Sequence, residues 1–246
     1  MTAQKSRSSK QQSQAGSNLK PFYIVLALIA VIGVGAIVFA TKSGGGTAAD
    51  DVIELPPEAL SNAQELVNKS DGIKKGADNA PIKLLVFSDY MCPACQTFTS
   101  RVEPPLRAEF IENGQVQLVY YDFPLGGGHR WSFLASRAAR CAGDEGKFWE
   151  YHDLLFARQR DWMYSNTAPV ADLEKLGEPL GLGEDFSKCL RSDKYQDVVT
   201  YNRALGNALG VRGTPTLFMN GRQLRDEWSD YDALKLRIEE ELARLQ

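Results

Sequence analysis

The chain has 246 residues, 43% hydrophobic, 24% charged and 10% aromatic, the make-up of one globular domain with added segments. Its net charge of −3 divides unevenly: residues 1–20 carry +4 through Lys5, Arg7, Lys10 and Lys20, and the rest sums to −7. An acidic main body argues against nucleic acid as a partner, and the four cysteines, Cys92, Cys95, Cys141 and Cys189, permit two disulfides.

Residues 21–40, PFYIVLALIAVIGVGAIVFA, contain no charge. As a helix rising about 1.5 Å per residue they reach about 30 Å, the thickness of a bilayer's hydrocarbon core. A helix of a globular core keeps a polar face, and this stretch has none. Basic residues precede it and only Lys42 follows closely. The positive-inside rule then makes residues 1–20 a cytoplasmic tail and residues 21–40 a transmembrane signal anchor, with the remainder outside the cell membrane. Cleavage after Ala40 is the competing reading, against which the apolar run exceeds the usual signal core of about 7–15 residues. Both readings export the main body to a compartment where disulfides persist.

Residues 41–71 read as a linker and an N-terminal helix: TKSGGGTAAD is a flexible tether, and residues 57–69 have helical spacing behind Pro57. Lys83-Leu84-Leu85-Val86-Phe87 predicts a buried strand, followed at once by Cys92-Pro93-Ala94-Cys95. Residues 95–111 read as a helix that Pro104-Pro105 must kink or interrupt. A second strand covers 116–121, and Phe123-Pro124 and the glycines 126–128 break the chain. From about 130 to 209 nearly everything reads as helix. A strand with Pro215 near its start follows, then the hairpin signal Asn220-Gly221, a returning strand over 222–225 and an amphipathic helix over about 230–245. The order describes one α/β unit, residues 72–128 and 210–246, split by a helical insertion at 129–209.

Cysteines two residues apart where a strand meets a helix are suited to redox chemistry. Cys92 falls in the helix's first turn, where free N–H groups and the positive dipole end stabilise an anion. The thiolate is the reacting species, so this placement activates the sulfur. Cys95 lies one turn on, close enough to close a disulfide, and Pro93 suits a helix start. A zinc site needs four ligands, and neither a second such pair nor a spaced histidine pair exists, so no metal is expected. A purely structural bridge over so short a loop adds little stability. Gly213-Thr214-Pro215-Thr216 precedes an apolar strand. A cis bond there would present the Thr214 backbone to an extended substrate, and a trans proline opening an edge strand is the alternative.

FSDYMCPACQTF, YYDFPL, RAARCAGDEGKFWEYHDLLF and GVRGTPTLFMNG together resemble the DsbA-like thioredoxin-fold thiol:disulfide oxidoreductases, in particular the membrane-tethered or Gram-positive type of disulfide-bond formation protein. The resemblance covers about residues 72–246. It implies a thioredoxin fold with a helical insertion, Cys92 as exposed nucleophile, Cys95 as resolving cysteine, and a cis Thr214–Pro215 bond facing the sulfurs as the substrate-binding edge. It implies an oxidase for reduced exported proteins, needing no cofactor and reoxidised by a membrane quinone-linked thiol oxidase of the DsbB or VKOR kind. A reductase or isomerase, or a Cu(I)-binding assembly protein on the same scaffold, are the alternatives.

Two departures qualify the likeness. The family archetype has Pro-His between its cysteines, whereas Pro93-Ala94 stands here, so an oxidant weaker than the strongest relatives is expected. Val86 and Phe87 occupy the strand where thioredoxins often bury an acid, and Asp89 reads as exposed. Cys141 and Cys189, both in the helical block of an exported chain, are expected to form a structural disulfide. It would close a loop of about 49 residues and add up to about 4 kcal/mol. Two buried free thiols are the alternative. His129 and His152 read as structural, and Trp131, Phe148, Trp149 and Phe156 as core.

Overall fold

A computed structural model describes residues 63–245. The tail 1–20, the span 21–40 and the tether 41–50 lie outside those residues. Among the described residues no helix is long and apolar enough to cross a membrane.

The sheet is built around β2 (Ile82–Ser88), whose sequence IKLLVFS suits a strand covered on both faces. It runs parallel to β3 (Val116–Asp122) and antiparallel to β4 (Thr216–Met219). The short strands β1 (Ile73–Lys75) and β5 (Arg222–Gln223) complete the order β1-β3-β2-β4-β5. Sequence reading missed β1, because three half-exposed residues carry no usable alternation. The hairpin at Asn220-Gly221 is present: φ is 46° and 80° there, both positive, as a two-residue turn matching strand twist requires.

Helix α1 (Ala63–Lys69) precedes the sheet. After β2, one helical run extends from Pro93 to Ile111. It comprises α2 (Pro93–Thr97), a π segment (Phe98–Val102), α3 (Glu103–Leu106) and a second π segment (Arg107–Ile111). Pro104-Pro105 interrupt the α register rather than the helix. A new α turn opens at Glu103, placing the prolines where a missing N–H is harmless. The π segment before it absorbs the shift, with Glu103 N donating to Phe98 O. The insertion contributes α4 (Ser132–Asp144), α5 (Phe148–Ala157), α6 (Gln159–Trp162), α7 (Val170–Gly177), α8 (Glu184–Leu190) and α9 (Gln196–Ala208). Helix α10 (Tyr231–Leu245) ends the described chain.

On one face of the sheet, Ile82, Leu84 and Val86 pack with Phe98, Val102 and Leu106 of the long helical run and with Leu234 and Ile238 of α10. On the other, Phe87 meets Phe123, Val211 and Phe218. Gly206 lets α9 lie close there: a Cβ would come within 2.5 Å of Phe123 and 3.0 Å of Phe87. A third apolar cluster fills the insertion and includes Trp131, Phe148, Phe156 and both cysteines of the Cys92–Cys95 pair. The insertion is tied to the sheet by Arg140, whose Nε lies 2.6 Å from Asp122 Oδ2 with both side chains buried. Within it, a disulfide joins Cys141 of α4 to Cys189 of α8, 48 residues apart.

Candidate active site

Strand β2 ends at Ser88, and Asp89-Tyr90-Met91 turns the chain into the helical run. Cys92 caps that run with extended backbone (φ −78°, ψ 122°), and Pro93 takes the first helical position. The N–H groups of Ala94 and Cys95 therefore face the Cys92 sulfur and stabilise its anion. The two cysteines stand as a dithiol.

Cys92 is not the exposed nucleophile that the resemblance implied. It retains 7% of its surface and Cys95 none. Cys92 packs into the insertion's apolar cluster, and its Sγ–H donates to Thr214 O at 3.2 Å. The Thr214–Pro215 bond is cis, as the resemblance implied. Thr214 Oγ1 is buried without a partner in the dithiol. Once Cys92 ionises, its sulfur becomes the acceptor that this hydroxyl lacks.

Proximity splits the two thiols. The Cys95 thiol donates to Cys92 and, with Thr214 and the two backbone N–H groups, overcomes partial burial to bring Cys92 down to about 6. Burial pushes Cys95 well up, and the neighbouring Cys92 sulfur adds to the rise. One sulfur of the pair is thus an anion near neutral pH and the other keeps its proton.

Asp89 departs from the sequence reading: it is fully buried. Its solvent is replaced by donors. Oδ1 accepts from Met91 N at 2.7 Å and from the Ser132 hydroxyl, and Oδ2 from Leu125 N at 2.8 Å. His129 Nδ1 lies 3.0 Å from the same Oδ2. These bonds draw the Gly-rich loop and the start of α4 onto the active-site turn. Gln159 of α6 adds a second tie, its Nε2 donating to Tyr90 O at 2.8 Å and Cys92 O at 3.1 Å. Asp89 was traceable in the sequence by its place three residues before Cys92. Gln159 carried no signal, because only the fold brings α6 to the turn.

Beneath the site, His152 is fully buried. Its Nδ1 lies 2.9 Å from Tyr90 Oη, and its Nε2 is 3.7 Å from Glu103 Oε2. Burial opposes the Glu103 carboxylate, but His152 and Arg107 outweigh it and hold that carboxyl down to about 2. Arg107 continues outward to Asp153 at 2.7 Å. Among the described residues no group of three His, Cys, Asp or Glu side chains could hold a metal ion.

A family model described as "Thioredoxin" matches residues 68–240. The chain is 30% identical over 170 residues to the disulfide bond formation protein D of Bacillus subtilis, covering 68% of this chain and 75% of that one. It is 28% identical over 235 residues to the probable disulfide bond formation protein D of Bacillus anthracis, covering 94% of this chain and all of that one. The crystal structure of oxidised BdbD from Bacillus subtilis superposes with a TM-score of 0.62 at 26% identity, over 72% of this chain and 95% of that one. Wolbachia pipientis α-DsbA1 shares the fold, with a TM-score of 0.63 at 19% identity over 71% of this chain and 94% of that one. The chain belongs to the thioredoxin family, among its DsbA-like disulfide bond formation proteins, and is a thiol:disulfide oxidoreductase.

Proposed function

We propose that the chain is an extracytoplasmic oxidase that donates a Cys92–Cys95 disulfide to exported proteins, tethered to the membrane by residues 21–40. The observation that carries this reading is the asymmetry of the pair, one sulfur stabilised as an anion and the other buried with its proton. Stabilising the reduced form makes the disulfide a better oxidant.

In the forward reaction a client thiolate attacks Cys92 Sγ and the Cys92–Cys95 bond breaks. The electron pair leaves on Cys95, which takes up a proton in its buried position. A second client thiolate then attacks the client sulfur of the mixed disulfide. The client disulfide forms, and Cys92 leaves as the stabilised thiolate. The client loses two electrons and the pair gains them. A membrane quinone-linked thiol oxidase would remove them again. Thr214, beside the sulfur at the edge of β4, offers backbone for an extended client segment to pair with.

The direct test is refolding of a reduced, unfolded client by the oxidised full chain. The wild type yields native client with a stoichiometric loss of its own disulfide, and Cys92→Ser yields none. Full transfer by Cys92→Ser would refute the assignment.

A further inference from the structure

The proposed oxidation releases two client protons for each disulfide made, and Cys95 accounts for one. Cys92, leaving as a thiolate, does not take the other. His129, hydrogen-bonded to Asp89 on the turn that carries Cys92, is placed for that role. Its ring is 27% exposed, open enough to exchange protons with solvent, while Asp89 is fully enclosed. The side chain is fixed from the active-site turn itself: Cys92 N donates to Asp89 O at 3.0 Å, and Asp89 Oδ2 accepts a hydrogen bond from His129 Nδ1–H at 3.0 Å. With Nδ1–H committed to Asp89, Nε2 is the nitrogen left to gain or lose a proton. No histidine separates the two cysteines, whereas His129 stands on the loop before α4, tied through Asp89 to the active-site turn.

We propose that His129, positioned by Asp89, takes the second proton and so couples proton binding to the redox state of Cys92, an inference that rests on Cys92 being the exchanging sulfur. The step balances without an outside reagent. A client dithiol meets the Cys92–Cys95 disulfide and a neutral His129. The products are the client disulfide, the Cys92 thiolate, the Cys95 thiol and the His129 imidazolium. Two electrons pass from client to enzyme, and the two client protons end on Cys95 and His129. Oxidation of the pair by its membrane partner releases both.

The charges around His129 agree with this role. The Asp89 hydrogen bond raises its proton affinity, partial burial lowers it, and the Asp89 and Cys92 charges raise it further. Adjacent Arg130 turns its guanidinium over the Trp131 ring at 5.3 Å. Ser132, also on the loop–α4 side, is neutral. Asp89 acts alike in both redox states, whereas the Cys92 charge exists only in the reduced one. The difference in His129 proton affinity between the two states therefore isolates the coupling.

By linkage, the factor by which reduction raises His129 proton affinity equals the factor by which protonating His129 favours the reduced pair. The test uses the full chain in detergent with its histidines ¹³C-labelled. Only His129 and His152 contribute, and His129→Gln assigns the pair. Ring resonances are followed against pH with the Cys92–Cys95 pair oxidised and then reduced. The expected result is a His129 proton affinity at least about fivefold higher in the reduced form, the low end of ordinary site–site coupling. In His129→Gln the Cys92 thiolate, followed by its ultraviolet absorbance, should form at higher pH, with the glutathione equilibrium shifted toward the disulfide. Coincident His129 midpoints in the two redox states overturn the inference, and this measurement on the wild type needs no variant to fold. If Cys92→Ser leaves the low-pH thiolate absorbance in place, the assignment of Cys92 fails as well. If it removes that absorbance while the His129 midpoints coincide, only the role of His129 fails.

Discussion

The two cysteine pairs occupy opposite ends of helices. Cys92 caps the start of the Pro93–Ile111 run, where free N–H groups favour an anion. Cys141 and Cys189 sit in the last turns of α4 and α8, where the dipole end disfavours one. Asp144 reinforces the contrast, its carboxylate 3.5 Å from Cys189 Sγ. The first pair spans a loop too short to constrain the unfolded chain, while the second closes 48 residues. The helix end that favours a thiolate holds the first pair, and the end that disfavours one holds the second.

Several changes would break or sharpen that contrast. The largest effect is expected from Cys92→Ser, which should abolish client oxidation in the refolding assay, since no Cys92–Cys95 disulfide remains to donate. When reduced Cys95→Ser meets a client disulfide, the Cys92 thiolate should attack it, expel one client thiolate and stay trapped as a Cys92–client mixed disulfide visible by non-reducing electrophoresis, because Cys95 is not there to displace the client.

Removing the other pair with Cys141→Ala and Cys189→Ala should cost up to about 4 kcal/mol in denaturant unfolding. The pH at which the Cys92 thiolate forms should stay in place. A shift in that pH would show that the two pairs are coupled.

A third effect is on stability against pH. In the reduced protein Cys92 is held at about 6, below the usual thiol value of about 8.5. A depressed value stabilises the fold above the unfolded value, and that gain is lost as pH falls through about 6. Reduced protein should therefore gain about 1.4 kcal/mol per pH unit relative to oxidised protein between about 6 and about 8.5. Above that window Cys95, whose proton is held by burial, opposes any further gain. Chemical denaturation of both forms across this range is the check. The smallest effect is expected from Ala94→His, which should lower the Cys92 value by about one unit by adding a cation beside the thiolate.

Sequence carried the fold wherever a pattern was long enough. The apolar run in β2, the Asn220-Gly221 turn and the spacing of Cys92 and Cys95 each translate directly into local geometry. The elements missed were those set by distant partners. Strand β1 exists because β3 offers it an edge. Asp89 is buried because Leu125, His129 and Ser132, far along the chain, supply the donors that replace water. Cys92 is covered because the insertion's apolar cluster packs around it and Thr214, from the far side of the insertion, comes within hydrogen-bond distance. The Pro104-Pro105 pair shows the reverse case: the local rule was right about the α register, and a π segment kept the helix whole.

The reduction potential of the Cys92–Cys95 pair tests the central claim most directly. Equilibrating the full chain with glutathione mixtures and quantifying its thiolate gives the value. With Cys92 stabilised as a thiolate but without a histidine between the cysteines, the potential should fall above thioredoxin's roughly −270 mV and short of DsbA's roughly −120 mV. A value at or below roughly −270 mV would mark the pair as a reductant and contradict the oxidase assignment.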